Sequence, residues 1–383
     1  MISAATLQSS DRRRVLILEP SGNLWGSERV LLDFLGAVAP GAWQIGICCP
    51  PRTPILQPLS RLPVEVMPCF EANLHLQGRG ARLRAALRLW QAARRFGPGL
   101  IYVNQAGATR IALLVGRLLR VPVVTHVRLA EDAAYILSLG AGRREMPKVV
   151  CISHYIRSLF PEGAAVTSEQ LEVLYDPYAT AHDWISEEAK PSGEPLFGCV
   201  GRLARIKGQD VLLEAVAALK EQGTRARAVF VGAAGPGDTT EAELRSQAQK
   251  LGLADQITWA GFQNDVFSVL RGSAAQVIPS RVEPLGRVLF EAWDSGTIPI
   301  AWAGSGGLAE VLGASGGGLL YEEQSGPSLA RAMRRAMQLS SAERIEMIGR
   351  GRGWLRENCD PSIYANVMLS LWEQAAQGAV RGR

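Results

Sequence analysis

Glu283 and Glu291 stand eight residues apart in RVEPLGRVLFEAWDSGTIPIAWAGSGG, residues 281–307, on either side of Gly286, with a second glycine cluster after them. Carboxylates seldom interrupt so apolar a segment. They accept hydrogen bonds from vicinal hydroxyls without a metal. Pro284 favours a first helical turn, so a helix is expected near PLGRVLFEAW with Gly286 near its start and Glu291 about two turns inside. The two acids then lie at different depths, as two separate sets of sugar hydroxyls require, and backbone N–H groups face a docking anion. Upstream, GRLARIKG carries Arg202 and Lys207 five residues apart, after Gly201. A guanidinium grips phosphate oxygens bidentately and an ammonium adds a compact charge, so this pair suits a diphosphate. Taken alone, the same residues also read as a capping acid, a surface glutamate and two solvated cations. Their company in one half of the chain carries the chemical reading.

Such groups are positioned by loops at the carboxyl ends of parallel strands, where ligands of doubly wound sheets bind. The apolar runs VLILE, WQIGICC, LIYV, PVVTH and KVVCI alternate with helical patterns in the first half, and LFGCVG, ARAVFVG, ITWAG, AAQVIPS, IPIAWA and GLLY do so from residue 196. Strands apolar on both faces are strands covered by helices on both sides. The expected class is α/β with two Rossmann-like doubly wound domains. A flexible tail is expected over 1–14, the N-terminal domain over 15–180, a polar linker over 181–195 and the C-terminal domain over 196–360. A final helix over 361–383 is expected to pack back on the N-terminal domain.

Composition excludes several classes. With 383 residues, 47% hydrophobic, 20% charged and a mean hydropathy of +0.06, the chain is globular rather than disordered. Its six cysteines are irregularly spaced and include no CxxC pair, which argues against a disulfide framework or structural zinc and fits a reducing cytoplasm. The N-terminus has no apolar signal-like run, and the longest apolar stretch, IALLVGRLLRVPVV, is broken by Arg117 and Arg120, so no membrane span is expected.

GRLARIKGQDVLLEAV and PSRVEPLGRVLFEAWDSGTIPIAWAGSGGLAEVL resemble the donor half of the retaining family 4 glycosyltransferases, and GNLWGSERVLLDFL is similar to that family's glycine-glycine-x-glutamate loop. The resemblance covers most of the chain. It implies the GT-B fold, in which two Rossmann-like domains face each other across a cleft, and transfer of a hexose from a nucleotide-diphosphate sugar to a glycan or lipid-linked acceptor with retention. It further implies that Glu283 binds hydroxyls of the transferred sugar, that Glu291 binds the ribose, and that Arg202 and Lys207 neutralise the leaving diphosphate. Leu285, Gly286, Arg287 and Val288 would line the sugar and phosphate, and Phe262 and Gln263 would lie beside the base. Gly22 and Gly26 would let the first domain's loop approach the diphosphate. No cofactor is implied. No two aspartates stand two residues apart, so the metal-holding DxD pattern is missing and the basic pair must stabilise the departing charge.

His126, in PVVTHVRLAED, is expected to end a strand and face the cleft near the sugar, with Glu131 and Asp132 as alternative acceptor contacts. Three departures from the family pattern stand out. Trp25 replaces the first loop glycine, Asp294 replaces a small residue, and VLYDPYA stands in place of a Pro-Asn-Gly turn. The competing readings are a non-catalytic nucleotide-sugar-binding or scaffold protein of the same fold and a nucleotide-sugar epimerase. Retention of all four charged donor groups favours a transferase.

From Ala72 to Ala130 there is no aspartate or glutamate but there are ten arginines, among them Arg79, Arg82, Arg84 and Arg88 in a helical pattern with Leu83, Leu87 and Trp90. A basic amphipathic helix beside a basic domain suits an anionic lipid surface. No nucleic-acid recognition motif accompanies the charge, so nucleic acid is not expected as a partner. The expected location is cytoplasmic, peripheral on the inner face of the membrane.

Overall fold

The computed structural model describes residues 13–24, 26–39, 41–69, 78–140, 146–180, 193–263 and 265–381. Most of the expected tail and linker, together with Trp25, lies outside these residues. The chain divides into two compact units, Met1–Pro177 with Asn358–Arg383, and Tyr178–Glu357.

The first unit is built on a parallel sheet of β1 (Arg14–Leu18), β2 (Gln44–Cys49), β3 (Glu65–Pro68), β4 (Leu100–Val103), β5 (Val123–Val127), β6 (Lys148–Cys151) and β7 (Leu171–Val173). The strand order is β3-β2-β1-β4-β5-β6-β7. Helices α1 (Gly26–Ala37), α2 (Arg79–Phe96), α3 (Thr109–Leu119) and α4 (Ala130–Leu139) connect the strands. Alternation along β1 sorts the core into two layers, because successive side chains point to opposite faces. Val15 and Ile17 face Phe34 of α1 and the C-terminal helix Pro361–Arg381, whereas Leu16 and Leu18 face Leu89 and Phe96 of α2 and Val115 of α3. Trp372 anchors the C-terminal helix in the first layer, its ring 5.3 Å from that of Phe34, 5.5 Å from Trp43 and 5.4 Å from Tyr102.

The second unit repeats the plan with β8 (Leu196–Val200), β9 (Arg227–Val231), β10 (Ile257–Gly261), β11 (Ala275–Ile278), β12 (Pro299–Trp302) and β13 (Leu319–Tyr321), ordered β10-β9-β8-β11-β12-β13 and parallel throughout. Its longer helices are α5 (Gln209–Glu221), α6 (Thr240–Lys250), α7 (Val288–Asp294), α8 (Gly307–Ser315), α9 (Gly326–Gln338) and α10 (Ser341–Asn358). Buried apolar residues of α5 and α9, such as Leu212, Val216, Leu329 and Met333, pack on one face of the sheet. In each sheet the strand order reverses once, between β1 and β4 and between β8 and β11. Crevices outside the carboxyl ends of the strands open at such points.

Candidate functional site

The second unit's reversal point gathers the acids and bases singled out in the sequence. The loop after β8 runs Gly201–Gly208, and the loop after β11 runs from Pro279 into α7. Gly201 begins the first loop with its N–H on Val231 O at 2.9 Å. Gly208 lets the loops meet. Its φ is +67°, and a Cβ there would lie 2.0 Å from Pro279 O, a distance no side chain tolerates. Arg281 ties the loops from the other side, donating to Arg205 O at 2.6 Å and to Asp210 Oδ2 at 2.6 Å.

Within this frame Lys207 Nζ forms an ion pair with Glu283 Oε1, which also accepts from Ser280 Oγ at 2.9 Å. Glu283 is only 7% exposed. Its backbone is clamped by the glycine-rich loop after β12: its N–H donates to Ser305 O at 2.8 Å, and Leu308 N donates to its carbonyl at 3.4 Å. AGSGG thus holds the carboxylate in place. Arg202, in the same loop, is exposed, and its carbonyl accepts from Gln209 Nε2 at 2.9 Å. Lys207 and Glu283, to which the resemblance gives separate tasks, are therefore joined in a single ion pair.

Helix α7 is shorter than the sequence suggests. Arg287 is its N-cap, Val288 its first residue and Asp294 its last, so Glu291 falls in the first turn rather than about two turns inside. Leu285 and Gly286 are buried just ahead of it, while Val288 and Glu291 are half-buried. Phe262 and Gln263 follow β10, at the edge of the sheet. Phe262 is 74% exposed, an apolar ring held in water, and Gln263 Nε2 donates to Ala260 O at 2.8 Å.

The first unit places a polar network that the sequence reading missed at its own reversal point. Glu19, which follows β1, and Glu28 of α1 are both fully buried. Gln105 Nε2 bridges them, 2.6 Å from Glu28 Oε1 and 3.1 Å from Glu19 Oε1, and Asn104 Nδ2 donates to Glu19 Oε2 at 2.6 Å. Burial, and next the charge of Glu28, raise the Glu19 carboxyl above its ordinary range. Ser21 donates to Glu28, and Ser27 Oγ donates to Glu28 Oε2 at 3.1 Å, so the network holds both serines on the buried acid. A carboxylate closing the apolar run VLILE was the available signal. Gly22 is glycine for a local reason, with φ +68° and a built Cβ only 2.6 Å from Thr53 Oγ1, whereas a Cβ on Gly26 would meet nothing.

His126 departs from its expected position. It lies inside β5 rather than at its end, has 0% exposure, and sets Nδ1 2.8 Å from Tyr102 Oη. Burial, and next Arg128, hold its pKa well below the ordinary value. A central parallel strand is covered on both faces, so a histidine within it becomes a neutral core group. Arg128 comes just after the strand, in a buried ion pair with Asp176. Asp132 is also occupied, accepting from Arg128 N at 3.2 Å and Leu129 N at 3.1 Å as a cap of α4, while Glu131 is exposed.

The basic helix is α2, and its apolar residues divide between two faces. Ala85, Leu89, Ala93 and Phe96 enter the core, while Leu83 is 70% exposed and shares the outer face with exposed Leu87, Arg84 and Arg88. Trp90 and Arg82 are half-buried, and Arg79 opens the helix. Neighbouring α3 exposes Leu114, Leu118, Arg110 and Arg117 in the same way. No helix among the described residues is long and apolar enough to cross a membrane.

A family model described as glycosyl transferases group 1 matches residues 181–354, and one described as a glycosyl transferase 4-like domain matches residues 26–175. The chain is 28% identical over 311 residues to a 2-deoxystreptamine glucosyltransferase of Streptomyces kanamyceticus, covering 73% of this chain and 79% of the relative. It is 27% identical over 252 residues to the lipopolysaccharide core biosynthesis mannosyltransferase LpcC of Rhizobium leguminosarum bv. viciae, covering 65% and 71%. The crystal structure of Anabaena HepE in complex with UDP superposes with a TM-score of 0.77 at 20% identity, covering 94% of this chain and 100% of that one. HepE in complex with UDP-glucose gives a TM-score of 0.74 at 20% identity, covering 93% and 98%. Two parallel sheets of this order, a charged cluster at the reversal point of the second and matches spanning both units lead to one assignment: the chain belongs to the glycosyl transferases group 1 family and is a glycosyltransferase of the GT-B fold.

Proposed function

We propose that the protein transfers a hexose from a nucleotide-diphosphate sugar to a sugar or lipid-linked acceptor, with retention of configuration and without a divalent metal. The observation that carries this reading is the Lys207–Glu283–Ser280 cluster at the β8/β11 reversal point. It sets a cation and a fixed hydroxyl-binding carboxylate side by side, as the junction between a sugar and its diphosphate requires. Glu283 holds sugar hydroxyls, Glu291 the ribose, and Lys207 with Arg202 the diphosphate. The segment Leu285–Val288 lines the sugar and phosphate, and Phe262 with Gln263 flanks the base. HepE has been crystallised with UDP and with UDP-glucose, which favours a uridine nucleotide as donor.

In the step itself the C1–O bond to the diphosphate breaks and the acceptor oxygen bonds to C1 on the same face. The acceptor proton passes to the leaving phosphate oxygen. Positive groups fixed before the reaction stabilise the charge that develops on the diphosphate. His126 is not assigned a catalytic role, because its ring is enclosed in the first sheet.

The test incubates the protein with UDP-hexoses and a panel of free and lipid-linked saccharides. Nucleoside diphosphate should be released only when an acceptor is present, release should persist in EDTA, and NMR of the product should give the donor's anomeric configuration. A scaffold would release nothing, and an epimerase would alter the sugar while it remained on the nucleotide. An inverted anomer would overturn the retaining assignment.

The outer faces of α2 and α3 support peripheral attachment to an anionic membrane. Each combines exposed leucines with exposed arginines, the chemistry of an interfacial helix. A lipid-linked acceptor suits a protein held at such a surface.

A further inference from the structure

Two of the departures from the family pattern meet in space. Tyr178, from the YDPY stretch, is the first residue of the second unit, and its hydroxyl donates to Asp294 Oδ2 at 3.2 Å. Asp294 is the fully buried last residue of α7. A buried carboxylate is costly unless hydrogen-bonded, so an aspartate in place of a small residue requires a donor such as this one. The tyrosine ring extends along one face of the helix. It meets Phe290 edge-on at 5.6 Å and lies under the Arg287 guanidinium at 5.9 Å. Residues 287, 290 and 294 are spaced by three and four, so one ring reaches from the N-cap to the last residue of α7. Arg352 holds the same far end, donating to Trp293 O and Asp294 O at 2.8 Å. Burial, then Asp294 and Glu291, push the Tyr178 phenol well above its ordinary value, which keeps it a donor at physiological pH.

We propose that Tyr178 and Asp294 are positioning residues for the nucleotide-sugar donor: their hydrogen bond, with the ring stacked under Arg287, fixes α7 so that Arg287 and Glu291 meet the diphosphate and the ribose. The inference rests on the donor reading above and adds two residues to it. Tyr178 lies two residues after Asp176, which Arg128 holds in the first unit, so Pro177 separates two anchored side chains at the point where the chain passes from one unit to the next.

The test is calorimetric titration of UDP, with GDP as a second probe, into wild type, Tyr178→Phe, Asp294→Ala, Asp294→Asn and the double variant Tyr178→Phe/Asp294→Ala, with the thermal midpoint of each measured without nucleotide. Tyr178→Phe and Asp294→Ala should each weaken nucleotide binding about tenfold, the scale of a hydrogen bond to a charged group. The double variant should bind no more weakly than the poorer single variant, because one interaction is lost only once. Asp294→Asn keeps a carbonyl acceptor and should bind within about twofold of wild type. Should Asp294→Ala fold poorly, Tyr178→Phe still reads the bond, since it retains the ring. Lower midpoints with unchanged affinity, losses that multiply in the double variant, or Asp294→Asn as weak as Asp294→Ala would each overturn the inference. Wild type that binds neither nucleotide would overturn the donor reading itself, and this inference with it.

Discussion

At the scale of single residues the ion pair between Lys207 and Glu283 makes two effects separable. Lys207→Ala should lower turnover by roughly two to three orders of magnitude, the usual loss when one fixed donor to developing charge is removed. It should also lower stability, by about 1–3 kcal/mol, because nearly buried Glu283 keeps Ser280 but loses its cation. Arg202 is exposed, so Arg202→Ala should lose comparable turnover with an unchanged unfolding midpoint. Equal midpoints for the two variants in a thermal melt would contradict this difference. Gly208→Ala should disable the site without touching a charge, since its Cβ would strike Pro279 O and part the two loops. The charged groups of the second unit were legible in the sequence because charge amid apolar, glycine-rich loops has few structural uses. The position of His126 was open by one residue, since a histidine at the end of PVVTH reads the same whether or not the strand runs on to Val127. Asp294 and Tyr178 were visible only as departures. Their partnership spans 116 residues, and no local pattern encodes it.

At the scale of elements the second sheet was readable to its edges, β10 and β13, whereas the margins of the first were not. All six strands of the second sheet appear as apolar runs, whereas β3 and β7 of the first unit escaped the reading. Both are edge strands with a glutamate and exposed or half-buried positions, so neither has the continuous apolar signature of a strand covered on both faces. Helix α2 shows a second limit, since periodicity detects a stripe without saying which side of it meets the core. Leu83 and Leu87 continue the apolar pattern but face out, because small Ala85 and Ala86 allow close packing on the opposite side. The C-terminal helix is the element whose loss should be felt most locally. Trp372 is fully buried among Phe34, Trp43 and Tyr102, so Trp372→Ala should cost about 3–5 kcal/mol. Hydrogen exchange should show lost protection in β1 and β4 while β8 and β11 are unaffected. Equal loss in both sheets would mean that the two cores do not unfold separately.

At the scale of the whole molecule, charge is distributed unequally between the two units. The net charge is only +5, yet ten arginines and no acid lie between Ala72 and Ala130, all within the first unit. Solubility alone does not require such a bias, and exposed leucines interleaved with the arginines work against it. The combination suits an anionic lipid surface, where each basic residue contributes about 1 kcal/mol and the leucines enter the headgroup boundary. Two helices carry this combination on their exposed faces, α2 with Leu83, Leu87, Arg84 and Arg88, and α3 with Leu114, Leu118, Arg110 and Arg117. Liposome flotation separates the two contributions. Binding should require anionic lipid and fall as salt is raised, because surface charges are screened over a Debye length of about 10 Å at 0.1 M. Changing Arg82, Arg84 and Arg88 to glutamate should abolish flotation on anionic vesicles at moderate salt. Leu114→Ser with Leu118→Ser should preserve the salt dependence but weaken binding at every salt concentration, since it removes insertion and leaves attraction intact. Equal recovery on neutral and anionic vesicles, or none on either, would leave the arginine bias without a membrane partner.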